Sequence, residues 1–119
     1  MKIIKTDIAN LENDVVMLYK LTHGKSGKTA TKLNDEELER VYPVTAYLLY
    51  EDVNQKGENV ELLSILSGDF VVTAQSATLK RSFFEILDIV GDRSFSIKFT
   101  DGKTKSDRRY MDCELASVD

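Results

Sequence analysis

Ser94-Phe-Ser-Ile-Lys-Phe-Thr100 and Tyr110-Met-Asp-Cys-Glu-Leu-Ala116, joined by Asp101-Gly-Lys-Thr-Lys-Ser-Asp-Arg-Arg109, are the stretch that decides the fold. Phe95, Ile97 and Phe99 alternate with Ser94, Ser96, Lys98 and Thr100; Met111, Cys113 and Leu115 alternate with Tyr110, Asp112 and Glu114. Apolar residues at period two place one face of each segment in a core and the other in water, so the pair reads as a hairpin of two half-buried strands. The connection sets Lys103, Lys105, Arg108 and Arg109 against Asp101 and Asp107, a basic tip on a chain of net charge −4. Beside it Tyr110 falls on the polar side of its strand. A cationic tip next to an outward ring has the chemistry of a grip on a nucleic-acid backbone, with charge for phosphate and an aromatic face for a base.

Working outward, three further strand signals precede the hairpin. Tyr42–Asp52 is rich in β-formers, and Pro43 puts its beginning at an edge or at a strand start. Asn54-Gln-Lys-Gly57 reads as a hairpin connection to Val60–Leu66, and Ser67-Gly68-Asp69 as a tight turn into Phe70–Ala74. Ser76 then caps a helix whose Leu79, Phe83, Ile86, Leu87 and Val90 form one apolar stripe, closed by Gly91. Three meandering strands, a helix and two strands are the element order of the OB-fold, a five-stranded Greek-key barrel with a helix between strands three and four. At the N-terminus Asn10 is the expected cap of a helix with Leu11, Val15, Leu18 and Tyr19 on one face and Gly24 as its stop. Residues 25–32 lack periodicity and read as a mobile cationic loop, and Asp35–Arg40 as one helical turn. The expected organisation is one mainly β domain over 1–119, with a helix and basic loop in 1–43 and the barrel in 44–116.

Composition bounds the function. A chain of 119 residues is one domain, long enough for a real core but too short for two domains. No apolar run approaches the roughly 20 residues that span a bilayer, and no signal peptide is visible, so no membrane partner is expected. The single cysteine, Cys113, has no disulfide partner, which suits a reducing cytosol, and its place on an apolar strand face makes it a packed small hydrophobe. Net acidity argues against a surface that coats nucleic acid everywhere, but the charges are segregated. Lys20, Lys25, Lys28 and Lys32 lie in a stretch without acids, whereas eight acids between Asp35 and Glu61 face only Arg40 and Lys56. Local sign steers a ligand more than the total does.

Several motifs carry little chemistry. Gly24-Lys-Ser-Gly-Lys-Thr29 has the lysine and hydroxyl of a phosphate loop, yet the position five before Gly27 is Thr22, and no strand precedes it. A solvated loop is the plainer reading, with a clamp on nucleic acid as the functional one. His23 is alone, so no metal site is expected. Asp112 and Glu114 share a strand face about 7 Å apart, which keeps a metal-dependent nuclease as a competitor, although solubility explains them as well. Among the aromatics, Tyr110 is the first candidate for base stacking, followed by Phe70 and Tyr47. The segment 42–52 is apolar on both sides, so which way Tyr47 and Tyr50 face stays open. No catalytic constellation and no cofactor site is expected.

The run Tyr47-Leu-Leu-Tyr-Glu-Asp-Val-Asn-Gln-Lys-Gly-Glu58, with Leu63-Ser-Ile-Leu66, Ala74-Gln-Ser-Ala-Thr78 and Lys105-Ser-Asp-Arg-Arg-Tyr-Met-Asp-Cys113, resembles the small single-stranded DNA-binding proteins encoded by phages of Gram-positive bacteria, of the lactococcal siphophage type. The likeness runs from about Val44 onward, and Leu18-Tyr-Lys-Leu-Thr22 also fits. It implies an OB-fold that coats single strands during phage replication and recombination in the cytoplasm of the bacterial host, as an oligomer, beside a strand-annealing protein or recombinase. It also implies a groove next to the last hairpin, with Lys98, Lys103, Lys105, Arg108, Arg109 and Tyr110 as its strongest members; Tyr47, Phe70, Lys25, Lys28 and Lys32 are the further candidates. The sequence departs from the pattern of bacterial single-stranded DNA-binding proteins in having no tryptophan, and, with Ser117-Val-Asp119 following Ala116 in place of their long acidic-tipped tail, recruitment of partners through such a tail is not expected. The doubly apolar segment 42–52, together with the exposed edges of an isolated barrel, predicts a homo-oligomer, dimer or tetramer. The competing reading from another class is a protein-interaction OB module of a phage with no nucleic-acid binding.

Overall fold

A computed structural model describes residues 1–25 and 27–119. The segment read as one strand from Tyr42 to Asp52 is broken in two. Pro43 has no N–H for a second ladder, and the chain makes only a short strand β3 (Tyr42–Pro43) before it turns through Val44–Thr45 into β4 (Ala46–Val53). That break sends the two halves to different sheets. β4 joins β1 (Lys2–Thr6), β5 (Asn59–Ser67), β6 (Phe70–Ala74) and β2 (Gly27–Thr29) in the order β1-β4-β5-β6-β2, while β3 joins β7 (Phe95–Lys103) and β8 (Arg109–Val118) in the order β3-β7-β8. All the pairings are antiparallel except β2 with β6. Among the described residues there are three α-helices: α1 (Val15–His23), α2 (Asp35–Glu39) and α3 (Ala77–Val90).

Two cores form, one on each face of the larger sheet. Between the two sheets, Leu79, Phe83, Ile86 and Val90 of α3 pack with Leu63, Ile65, Val72, Ile97, Phe99 and Met111. On the opposite face, Leu11, Leu21, Met17 and Leu18 cover Leu48, Tyr50, Leu66 and Val71. Strand alternation therefore sends Tyr47 into the first core and Ala46, Leu48 and Tyr50 into the second. The double apolarity of this strand, which predicted a second copy of the chain, is accommodated within one chain.

The long β7–β8 hairpin, the α3 stripe and the β4–β5–β6 meander fall where the sequence patterns put them. Other expectations need correction. Among the described residues eight strands lie in two separately hydrogen-bonded sheets, not in one closed five-stranded barrel, because β6 and β8 do not pair there. The far edge of β6 is taken by β2, and the β6–α3 junction approaches β8 through a side chain: Ser76 Oγ donates to the Met111 carbonyl at 2.8 Å. The N-terminal helix starts later than expected. Asp14 is its cap, with Oδ1 accepting from Met17 N at 3.2 Å, whereas Asn10 lies ahead of a 3₁₀ turn at Leu11–Asn13. The non-helical Asp14 breaks the phase between Leu11 and the helix, so Leu11, Leu18 and Leu21 turn inward and Val15 and Tyr19 turn out. β1 was not legible, since Lys-Ile-Ile-Lys-Thr has no alternation. The stretch 25–32, expected to be a mobile loop, contains β2 and a 3₁₀ turn at Ala30–Lys32; Ser26 lies outside the described residues. Among the described residues, no helix is long and apolar enough to cross a membrane.

Gly27 explains how β2 reaches β6. A Cβ there would collide with the backbone carbonyl of Val71, so only glycine permits the parallel pairing. Gly27→Ala is expected to cost about 1–3 kcal/mol of folding stability by overpacking, measured by urea denaturation. A variant as stable as the parent would show that β2 is not held against β6 in solution.

Candidate nucleic-acid interface

Where β6 and β8 fail to pair, a seam opens. A cleft of about 930 Å³ runs along it, bounded by the β6–α3 junction, by Thr29–Thr31 and by the beginning of β8. Its polar walls are hydroxyls and amides (Thr29, Thr31, Thr73, Gln75, Ser76 and Thr78) together with Arg108 and Arg109. Among the described residues no carboxylate lines it. On an acidic chain this is a local surface of positive sign with many neutral hydrogen-bonding groups, which suits a phosphodiester better than a cation.

The hairpin positions the two arginines. Thr104 N donates to Arg108 O at 2.9 Å and Asp107 N to Thr104 O at 2.9 Å, with Asp107 in the left-handed region at φ 63°. This is a three-residue loop of the turn-plus-left-handed type, and it holds the strands in register to the tip. Register Lys103↔Arg109 continues the inward side of Asp101↔Met111, while Gly102↔Tyr110 lies on the opposite face. Arg109 is a clasp. Its Nε donates to Asp101 Oδ2 at 3.1 Å and its Nη1 to Thr31 O at 2.7 Å, tying the hairpin to the 3₁₀ turn that forms the opposite wall. Two of its five donors are used, leaving three for a ligand. Arg108 and Lys105 form no ion pair among the described residues, whereas Lys103 reaches Asp107 at 3.5 Å.

Tyr110 is 39% exposed, and its ring lies across Gly102; a Cβ on that glycine would sit 2.5 Å from the phenol oxygen. One ring face is therefore backed by the strand. Tyr47 is not available for stacking. It is 6% exposed, meets Phe83 and Phe84 edge-on at 5.5 and 5.7 Å between centroids, and burial pushes its phenol pKa up. Phe70 is half-buried and stacks on Tyr42 at 6.0 Å, so its ring also belongs to the core. Of the three candidate rings, Tyr110 alone is at the surface.

The other cations disperse. Lys98 pairs in register with Glu114 and lies in a separate hollow with Asp35, Glu39 and Asp101, an acidic setting, and does not line the seam. Lys28 is bound to Glu37 at 2.7 Å. Lys25 and Lys32 are exposed but do not line the cleft. Gly24 ends α1 and Gly27–Thr29 form β2, so helix precedes strand, the reverse of the strand–loop–helix order that a phosphate loop needs. Asp112 accepts from Cys113 N at 2.8 Å, and among the described residues no group of three or more histidine, cysteine or acidic side chains is placed to hold a metal ion. The hydroxyl-rich wall was missed. Ala74-Gln-Ser-Ala-Thr78 stood out in the sequence only as part of a resemblance, because scattered hydroxyls give no periodic signal.

The strap from β2 to β3 that carries Thr31 is itself latched. Glu37, 7% exposed, closes a capping box by accepting from Asn34 N while Asn34 Oδ1 accepts from Glu37 N, and it binds Lys28. The Asn34 N–H and the Lys28 ammonium hold its carboxyl below the ordinary glutamate range. Tyr42 Oη donates to Glu37 O at 2.9 Å and ties the strap to the smaller sheet.

Compared with protein-family models, curated proteins and solved structures, the chain shows no significant match.

Two outcomes test this geometry. Because the Glu37 pKa is depressed on folding, its contribution is complete above the ordinary glutamate value of about 4.3 and is lost as pH falls through the folded value. Glu37→Gln keeps the box but not the charge. It should melt below the parent at pH 7, with the gap closing on acidification past about pH 4; a pH-independent gap would remove the charge from the latch. Cys113 is buried, with its thiol pushed up to about 12, mainly by desolvation. A disulfide reagent at pH 8 should label it only as fast as the protein unfolds; rapid stoichiometric labelling of the native chain would contradict the packing.

Proposed function

We propose that the protein binds single-stranded DNA, with little sequence preference and no catalysis, along the seam between β6 and β8. The observation that carries this reading is the cleft itself: two arginines and a ring of hydroxyls and amides without a carboxylate, on a chain of net charge −4. Phosphates would be tracked by Arg108, Lys105 and the free donors of Arg109, with Tyr110 offering one ring face at the rim. With Tyr110 as the one candidate ring exposed at the seam, charge supplies more of the affinity than stacking does. The architecture fits an opened OB-fold. The segment 42–53 bends across both sheets, α3 lies between β6 and β7, and only the pairing of β6 with β8 is missing from the closed barrel. The resemblance to phage single-stranded DNA-binding proteins supplies the setting, replication and recombination in a bacterial host beside a strand-annealing protein or recombinase.

A second reading, a protein-interaction module without nucleic-acid binding, is favoured by one observation, the exposed Val15, Val16 and Tyr19 on α1. A mobility shift with labelled single-stranded and duplex oligonucleotides, with and without magnesium, separates the readings. Binding of the single strand only, independent of magnesium and without strand cleavage, supports the first; no shift at low salt supports the second; magnesium-dependent loss of the strand would indicate a nuclease.

Log affinity for single strands falls with log salt by about 0.7 per neutralised phosphate. The double variant Lys105→Gln/Arg108→Gln should flatten that slope by about 1.4, while Lys56→Gln in the β4–β5 turn should leave it unchanged. Tyr110→Ala should cost roughly 1–3 kcal/mol of binding, and Tyr110→Phe much less. An unchanged slope in the double variant, read by fluorescence titration, would move the site away from the hairpin.

A further inference from the structure

We infer that the outer stripe of α1 is an interface between two copies of this chain. Val15 is 71% exposed, Val16 81% and Tyr19 57%. At 3.6 residues per turn, Val15, Val16, Tyr19 and His23 fall within roughly 100° of the helix circumference. The helix is fixed in this orientation, because Met17, Leu18 and Leu21 on its other side pack into the second core. Adjacent β-branched residues on the solvent face of a nine-residue helix are a poor local choice. Neither valine contributes to either core, so within one chain nothing offsets that cost. Tyr19 stacks on His23 with centroids 6.1 Å apart and planes at 21°, which presents a preformed aromatic ridge beside the valines.

Charge identifies the occupant. The N-terminal end of the stripe is acidic, with Glu12 and Asp14; the C-terminal end is basic, with Lys20 and Lys25. A two-fold axis near Val16 and Tyr19 lays two such helices antiparallel, valine and tyrosine against their counterparts, with the acidic end of each on the basic end of the other. An isologous contact needs a surface complementary to itself, and this one is. Asp14 is occupied as the helix cap and Lys20 pairs with Asp69 at 3.0 Å, whereas Glu12 and Lys25 have no ion-pair partner among the described residues. A pair of short helices buries little area, so the dimer should be a weak, concentration-dependent one.

Sedimentation equilibrium of the full chain from about 1 to about 300 μM spans the range in which such a contact would form. The parent should rise toward the dimer mass. Val16→Lys should remain monomeric across the range with the parent's melting temperature, since the side chain is exposed. Glu12→Lys should weaken association several-fold, and Glu12→Lys combined with Lys25→Glu should restore it. A parent that stays monomeric throughout, a Val16→Lys variant that associates like the parent, or a double exchange no better than Glu12→Lys alone would each overturn the proposal.

Discussion

The fold depends on one constraint: β4 and β5 are apolar on both faces, so the sheet they form must be covered on both sides. α3 and the smaller sheet cover one face; α1 and the 3₁₀ turn before it cover the other. Large side chains such as Phe83 and Leu48, each stabilising by about 1.5–3 kcal/mol when fully buried, fix the two layers independently. The smaller sheet packs through its inner face and shares the segment 42–53 with the larger one through β3. Its hairpin therefore runs past the core and carries its charged tip beside the larger sheet without joining it.

That arrangement creates the cleft. Had β6 and β8 paired, their backbone groups would have closed the seam. Instead the Ser76 hydroxyl does two things at once, accepting from Leu79 N at 3.2 Å to cap α3 and donating to Met111 O to hold β8 near it. Arg109 spans the seam further along, from Asp101 to Thr31 O. The cleft is thus braced at two points by side chains that bond across it within the chain. Its width is set by the fold, and its positive sign comes chiefly from Arg108 and from what remains free on Arg109.

The elements that were legible in the sequence are those whose own periodicity carries the signal. The β7–β8 hairpin alternates strictly, the α3 stripe recurs at helical spacing, and both ran close to their expected bounds. β1 and β2 were not legible, since five and three residues at a sheet edge gain their ladder from a neighbour and need no pattern. The phase of α1 was misjudged for a local reason: Asp14 interrupts the helical path between Leu11 and Val15, and a non-helical cap cannot be told from a helical residue by spacing. The split at Val44–Thr45 was signalled by Pro43, but its consequence, one segment shared by two sheets, depends on β7 lying alongside.

For the site, the sequence by itself determined which groups were available: a basic tip at residues 103–109, a tyrosine on the polar face next to it, and a buried thiol at Cys113. Those follow from alternation and local composition alone. The tertiary structure decided which of them act together. It sent Tyr47 and Phe70 into the core, matched Lys98 with Glu114 in an acidic hollow, spent Lys28 on Glu37, and brought the hydroxyls of residues 29–31 and 73–78 opposite Arg108 and Arg109. Charge and ring type are properties of a residue, but whether a ring is exposed or a cation is free depends on neighbours distant in sequence, and those are set only when the sheets pack.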